Sequence, residues 1–294
     1  YSKATADDVT NNRISNTLLS EALSDPTAAA FNIFSVDATN IERALVDVYR
    51  KDKSELTLVD FKASNNEIIS MPAGPIGLLV GLEYRKESYS DNRDPRLDGT
   101  IKYVADNGSE FPFVSDVLGS SPTTDSVGEK NTTSVFAELQ IPVTDTIDAQ
   151  LAFRHEDISD AGTTSVGKLA VGWNATDWLL VRGSAQTATR APNLVQVNQA
   201  QVARFGSRVD AVYQYITENN TTTASGMDSD SKYTIQRFAT GADKLESEKS
   251  KNSSIGLVIQ PPQIEGLTVT YDAWKIEKDK TIGLFGRDNH TVLD

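Results

Sequence analysis

Apolar and polar residues alternate along much of this chain, in stretches of about ten residues joined by polar connections of unequal length. The clearest is PAGPIGLLVGLEYRKE, residues 72–87. There Leu78, Val80, Leu82 and Tyr84 share one side of an extended strand, and Gly77, Gly81, Glu83, Arg85 and Glu87 fall mostly on the other. Successive strand side chains point to opposite faces, so this pattern makes a sheet with one apolar and one polar face. The same period of two predicts eight strands: Glu55–Ser64, Ile76–Ser88, Asn131–Pro142, Ile147–Asp157, Thr163–Trp173, Trp178–Ala188, Lys249–Gln260 and Leu267–Lys278. In the fourth, Ile147, Ala149, Leu151 and Phe153 oppose Asp148, Gln150, Arg154 and Glu156. Helical spacing of Ile41, Ala44, Leu45 and Val48 predicts a short helix over Asp37–Tyr49, and a second is expected near Ile14–Leu23, ended at Asp25-Pro26.

Taken as a meander, the connections sort themselves by length. Asn65–Pro75, Thr144–Thr146, Asn174–Asp177 and Pro261–Gly266 fall at one end of the sheet, and all are short. Ser90–Lys130, Ile158–Gly162 and Thr189–Glu248 fall at the other, with residues 1–54 and 279–294. A soluble sandwich has no reason to segregate its loops, whereas a membrane barrel has short periplasmic turns and long extracellular loops. Trp173 and Trp178 bracket the Asn-Ala-Thr-Asp turn at the short end; this suits an aromatic girdle, or the cap of a soluble core.

The fold expected is therefore all-β: an antiparallel up-and-down meander forming part of a transmembrane β-barrel, with long external loops and one or two short helices near the N-terminus. Residues 1–294 form part of a single barrel domain. Within it 1–54 are an external loop region, 55–88, 131–188 and 249–278 carry barrel strands, and 89–130 and 189–248 are long external loops. The chain has no run of 18 apolar residues and so no helix that could span a bilayer. That does not argue against a barrel, whose strands need only alternate residues apolar.

Charge and composition narrow the partners. The net charge of −13 disfavours nucleic acid, because no basic stripe is available to displace counterions from phosphates. Zero cysteines exclude disulfide scaffolds and thiolate metal sites. The chain opens at Tyr1 in a polar stretch, without an initiator Met, and is expected to be an internal piece of a longer protein.

No catalytic constellation stands out, and neither a metal nor a cofactor is expected. His155 and His290 are far apart in sequence, and Glu156 points to the face opposite His155 in a regular strand. Asp228 and Asp230 offer oxygen ligands to calcium but lack the spacing and late glutamate of a calcium loop, so solvated loop acids are favoured. More informative are Glu83, Arg85, Glu138, Gln150, Arg154, Glu156, Arg182 and Gln186, which would line a wet lumen or form the solvated face of any sheet. A ligand site is sought in the two long loops, where Tyr103, Phe111, Phe113, Tyr213, Tyr215, Tyr233 and Phe238 are interleaved with acids and amides. Arg190, beside the strand-ending Pro192, is a further ligand candidate.

Several stretches together resemble the barrel of TonB-dependent outer-membrane receptors. They are ELTLVDFKAS (55–64), MPAGPIGLLVGLEYRKES (71–88), SVFAELQIPV (134–143), TSVGKLAVGWNATDWLLVRGSAQTATRAPNL (164–194) and GLTVTYDAWKIEKDKTIG (266–283). A strand ending in Ala-Thr-Arg-Ala-Pro-Asn, a long loop, and Lys-Leu-Glu-Ser-Glu-Lys-Ser opening the next strand follow that family's order. The resemblance implies a bacterial outer-membrane location and a 22-stranded barrel plugged by an N-terminal domain and energised through a TonB box. Plug, box and last strands are not in these residues, so the match is to the middle of a barrel. The implied activity is active uptake, without catalysis, of a scarce nutrient such as an iron-siderophore, cobalamin or an oligosaccharide. Implied partners are outer-membrane lipid, the TonB complex and a small-molecule or oligosaccharide ligand. The rivals are a complete eight-stranded barrel serving as adhesin or anchor, and a soluble glycan-binding β-protein.

Overall fold

The computed structural model describes residues 1–105, 107–209, 232–242 and 245–283. Nine strands form one antiparallel sheet: β1 (Ser2–Ile14), β2 (Leu45–Met71), β3 (Gly74–Arg93), β6 (Ser126–Thr144), β7 (Ile147–Ile158), β8 (Gly162–Thr176), β9 (Leu179–Arg190), β12 (Glu248–Ile259) and β13 (Val269–Asp279), neighbours in that order. Two hairpins sit inside the long connections, β4 (Lys102–Val104) with β5 (Glu110–Ser115), and β10 (Val202–Val209) with β11 (Lys232–Ala239). Helices α2 (Pro95–Asp98) and α3 (Leu194–Asn198) lie in the same connections, and α1 (Asn16–Ser24) lies between β1 and β2. The sheet is an open meander, and β1 and β13 are its edges. A closed eight-stranded barrel, which needs its first and last strands paired, is not formed among the described residues.

All eight predicted strands are present, several of them longer than expected. The helix predicted over Asp37–Tyr49 is not. Residues Ile41–Ala44 make a short 3-10 turn, and β2 starts at Leu45. Here the apolar spacing was helical, but residues 45–49 pair in register with β1, and that ladder decides the conformation. Residues 2–14, expected as loop, are strand for the same reason. The second predicted helix is α1, capped where Ser15 Oγ accepts from the Leu18 N–H and followed by Asp25-Pro26.

The register brings the apolar residues into contiguous rows. Val80 pairs with Ala63 and Ala137, Ala137 with Phe153, and Phe153 with Gly167. One row lower, Leu78, Leu139, Leu151, Leu169 and Ala185 align. These side chains are not covered by a second layer: Val80 is 41% exposed, Leu169 47% and Phe153 52%. A soluble sandwich would bury them, because a large contiguous apolar patch in water is unfavourable.

The upper border of the apolar band does not follow the rows. It begins at Val59 on β2, Tyr84 on β3, Val135 on β6, Phe153 on β7, Leu169 on β8, Ala185 on β9, Ile255 on β12 and Ala273 on β13. Against the register, that border slips by about eight residues over seven strand-to-strand steps. At about 3.3 Å per residue and 4.8 Å per strand, the strands are tilted by roughly 40° from the perpendicular to the band. Membrane barrels tilt their strands by about 35–45°. An apolar belt of this slope lies level only if the sheet leans as a barrel wall does.

Candidate functional site

The opposite face carries the charges, tied together across strands. Asp60, Glu83, Ser134 and Glu156 form one row, and Lys62, Gly81, Phe136 and Arg154 the next. From that second row Arg154 donates to Glu83 Oε1 at 2.7 Å, to Ser134 Oγ at 2.9 Å and to Glu156 Oε1 at 2.8 Å. One guanidinium therefore links β3, β6 and β7. Its plane also approaches the Phe136 ring, 5.3 Å from the centroid. That ring lies over Gly81, where an added Cβ would overlap its carbons. Gly81→Val is accordingly expected to push Phe136 off β3 and cost about 1–3 kcal/mol through overpacking. The check is a denaturant titration of the refolded protein, with Gly77→Val, which meets only ordinary contacts, as comparison.

A second bridge spans β12. Arg182 and Asp272 flank Gly256 in one row, and Arg182 Nη2 donates to both Asp272 oxygens at 2.9 and 2.8 Å. The missing side chain of Gly256 lets the pair meet across the intervening strand; a Cβ there would crowd Asp272 and lie 3.0 Å from Arg182 Nε. Glu138 accepts from the Gln150 amide, and Arg85 stands 4.0 Å from Glu87. Glu83, Arg154 and Glu156 are thus one network, while Arg182, Glu138 and Arg85 belong to separate ones. Asp272 and Ser134 escaped the sequence reading because their roles depend on which strands are neighbours. His155 sits on the apolar-side row, its Nδ1 2.8 Å from Ser165 Oγ.

At the long-loop end the strands run well past the apolar band, and the connections fold onto their polar face. Asn198 of α3 lies over Gly128 of β6. Lys130, buried on β6, donates to the Pro192 carbonyl at 3.0 Å and stands 3.3 Å from Glu87. Phe113 meets Phe238 edge-on at 5.2 Å, so the loops after β3 and β9 touch. Tyr103 stacks on Phe111 at 5.5 Å within the β4–β5 hairpin. Arg190 forks Glu248 at 2.7 and 2.8 Å and closes the stem of the second loop. With the Ile282 N–H, that guanidinium holds the Glu248 carboxyl down at about 2. Tyr233 belongs to β11, while Tyr213, Tyr215, Asp228, Asp230 and His290 lie outside the described residues.

A cleft of about 370 Å³ opens on the polar face where β1, β2 and β3 rise beyond the band, roofed by Val195 and Gln199 and by Thr123 and Thr124. On its floor like charges stand opposite one another and unlike charges alternate along each strand: Arg50 pairs in register with Arg93, and Asp52 with Asp91. Arg50 donates to both Asp91 oxygens at 3.0 Å, and Arg93 adds a third bond at 2.7 Å. Burial pushes the Asp91 carboxyl up, but the two arginines outweigh it and hold it below the ordinary value. Asp52 is pushed up by burial and by Asp91 opposite; Arg50, at 3.2 Å, and the charge of Arg93 offset this only in part. This cluster had a signal in the sequence, since Arg50/Asp52 and Asp91/Arg93 are opposite charges two apart, on one face of an extended strand.

A family model described as TonB dependent receptor-like, beta-barrel, matches residues 3–292. The chain belongs to that family. Its members are outer-membrane proteins of Gram-negative bacteria, transporters rather than enzymes, and the tilted apolar belt is the feature a bilayer requires. Among solved structures, the siderophore receptor PirA from Acinetobacter baumannii is 16% identical with a TM-score of 0.52, over 94% of this chain and 31% of that one. The ferric enterobactin receptor PfeA from Pseudomonas aeruginosa is 14% identical with a TM-score of 0.49, over 94% and 32%. PirA from Pseudomonas aeruginosa is 15% identical with a TM-score of 0.48, over 80% and 35%. The chain thus spans about a third of the length of these structures, and the likeness to the first is one of fold. No curated protein matches the sequence.

Proposed function

We propose that this chain is the wall and part of the mouth of an outer-membrane TonB-dependent receptor that takes up a scarce nutrient. Its long-loop end faces the outside, its apolar belt faces lipid and its ion-paired face lines the lumen. The observation that carries the reading is the oblique apolar belt backed by the Arg154 and Arg182 bridges. Charge is inexpensive on a hydrated lumenal wall and costly against lipid. A plug domain would lie against Glu83, Arg154, Glu156 and their neighbours, and TonB would act through that domain. Cargo, whether an iron-siderophore, cobalamin or an oligosaccharide, would first meet the loops that join at Phe113 and Phe238.

These 294 residues hold no cysteine, so topology is testable by single introduced cysteines once any elsewhere in the full-length receptor are replaced. In intact cells producing the full-length receptor, a membrane-impermeant maleimide is expected to label Ser35→Cys, in the long β1–β2 connection. It is expected to leave Asp145→Cys, in the β6–β7 turn, unlabelled until the outer membrane is permeabilised. The reverse pattern, or recovery of the protein in the soluble fraction without detergent, refutes the reading.

A further inference from the structure

Resting on the transporter reading, we infer that the cleft between Arg50, Asp52 and α3 takes a neutral, hydroxyl-rich ligand of oligosaccharide type rather than an anionic iron chelate. An anion receptor needs positive charge that is not already spent. In this cleft two arginines face two aspartates, and both guanidiniums are committed to Asp91, whose side chain is only 6% exposed. Other described cations at this end are paired too: Lys53 at the cleft wall with Glu55, Arg96 with Asp116, Lys130 with Glu87, Arg190 with Glu248 and Lys280 with Glu246. To bind a polyanionic chelate the cleft would have to pull an arginine away from Asp91 and leave a desolvated carboxylate behind.

What the cleft lacks is of another kind. Asp52 Oδ1 is closed off from water without a donor, and Arg93 Nε without an acceptor. A ligand hydroxyl that enters with side-chain movement would give these atoms partners, and an unmade bond at an enclosed polar atom is costly. A hydroxyl both donates and accepts, so one chemical group can meet both needs. Thr124 and Gln199 at the roof, and Tyr89, whose hydroxyl lies 2.8 Å from Ser126 Oγ, add neutral hydrogen-bonding groups and a ring face. Planar charged side chains already in balance, amides, hydroxyls and one aromatic ring suit sugar hydroxyls and offer a chelate's net charge nothing to pair with.

The test uses the full-length receptor in detergent on an array of neutral oligosaccharides, with parallel titrations of ferric enterobactin and of a neutral ferric trihydroxamate. At least one glycan is expected to bind, at least a hundredfold tighter than either iron chelate. Asp52→Ala and Gln199→Ala are each expected to weaken that glycan tenfold or more while the receptor still reaches the outer membrane. No glycan signal, tighter binding of either chelate, or a glycan affinity indifferent to both substitutions overturns the inference. A correctly labelled outer-membrane receptor blind to glycans refutes only the ligand class, whereas a protein missing from that membrane refutes the transporter reading itself.

Discussion

Replacing Leu151 with arginine is expected to destabilise the folded receptor by about 2–4 kcal/mol, the cost of a basic side chain facing lipid at mid-bilayer. The same substitution one residue earlier, Gln150→Arg, is expected to stay within about 0.5 kcal/mol. Leu151 sits inside the apolar belt between Leu139 and Leu169. Gln150 points to the other face, where its amide already donates to Glu138 and a guanidinium could take over that role. Urea titrations of the full-length receptor refolded into lipid vesicles give the comparison. The contrast between neighbours is the point: both substitutions add one charge to one strand, and only the face differs. Equal costs for the two would mean that the belt does not face lipid.

The second large effect is expected at Asp116, which is fully buried at the junction of two connections. Its carboxylate accepts from Ser15 Oγ at 2.7 Å and from the Thr17 N–H at 3.0 Å, and it pairs with Arg96. It therefore anchors the N-terminus of α1 to α2 and to the segment after β5. Asp116→Ala leaves Arg96 and Ser15 without their partner, and is expected to cost the loop assembly about 3 kcal/mol, the low end for breaking a buried pair because Arg96 keeps some solvent. Hydrogen exchange should speed up across α1 and residues 115–120 while the ladder from β6 to β9 stays protected. Unchanged exchange in α1 would show that Asp116 anchors nothing.

The pH dependence of that anchor has a definite sign. Burial raises the Asp116 carboxyl, but the hydrogen bonds from Thr17, Ser15 and Arg96 outweigh it and leave the group below its ordinary value. Its contribution is therefore complete above the unfolded carboxyl value of about 3.9 and is lost as pH falls through the lower folded value. Wild-type loops should loosen only under strong acid. In Asp116→Ala the same exchange rates should change less between neutral and acid pH.

Strands β3, β6, β7, β8, β9 and β12 were legible because their alternation is local. Each residue's face follows from its parity, and a one-residue slip would put Leu82 or Leu151 into the wet side. Strand β1 was not legible: SKATADDVTNN offers Val9 as its one large apolar residue, and the strand forms by pairing with residues 31 to 54 positions later, from Ile14↔Leu45 to Ser2↔Leu56. The top of β2 misled for a related reason, since Leu45 and Val48 continue a helical spacing that the ladder to β1 overrules. Among site residues, Glu83, Arg154 and Glu156 could be assigned to one face from spacing. Their junction through Ser134, and the reach of Arg182 to Asp272 across Gly256, depend on strand order and on a gap that a glycine leaves. Phe113 and Phe238, more than a hundred residues apart, meet only because two connections fold over one end of the sheet.

By itself, then, the sequence determined which side chains share a face and at which end the long connections gather, because parity and connection length are properties of the chain. The tertiary structure decided the slope of the apolar belt, the partners of each charge and the existence of the cleft above β1–β3. Those follow from register between strands, and hydrogen-bonded register is set by closure over tens of residues, which no local pattern encodes.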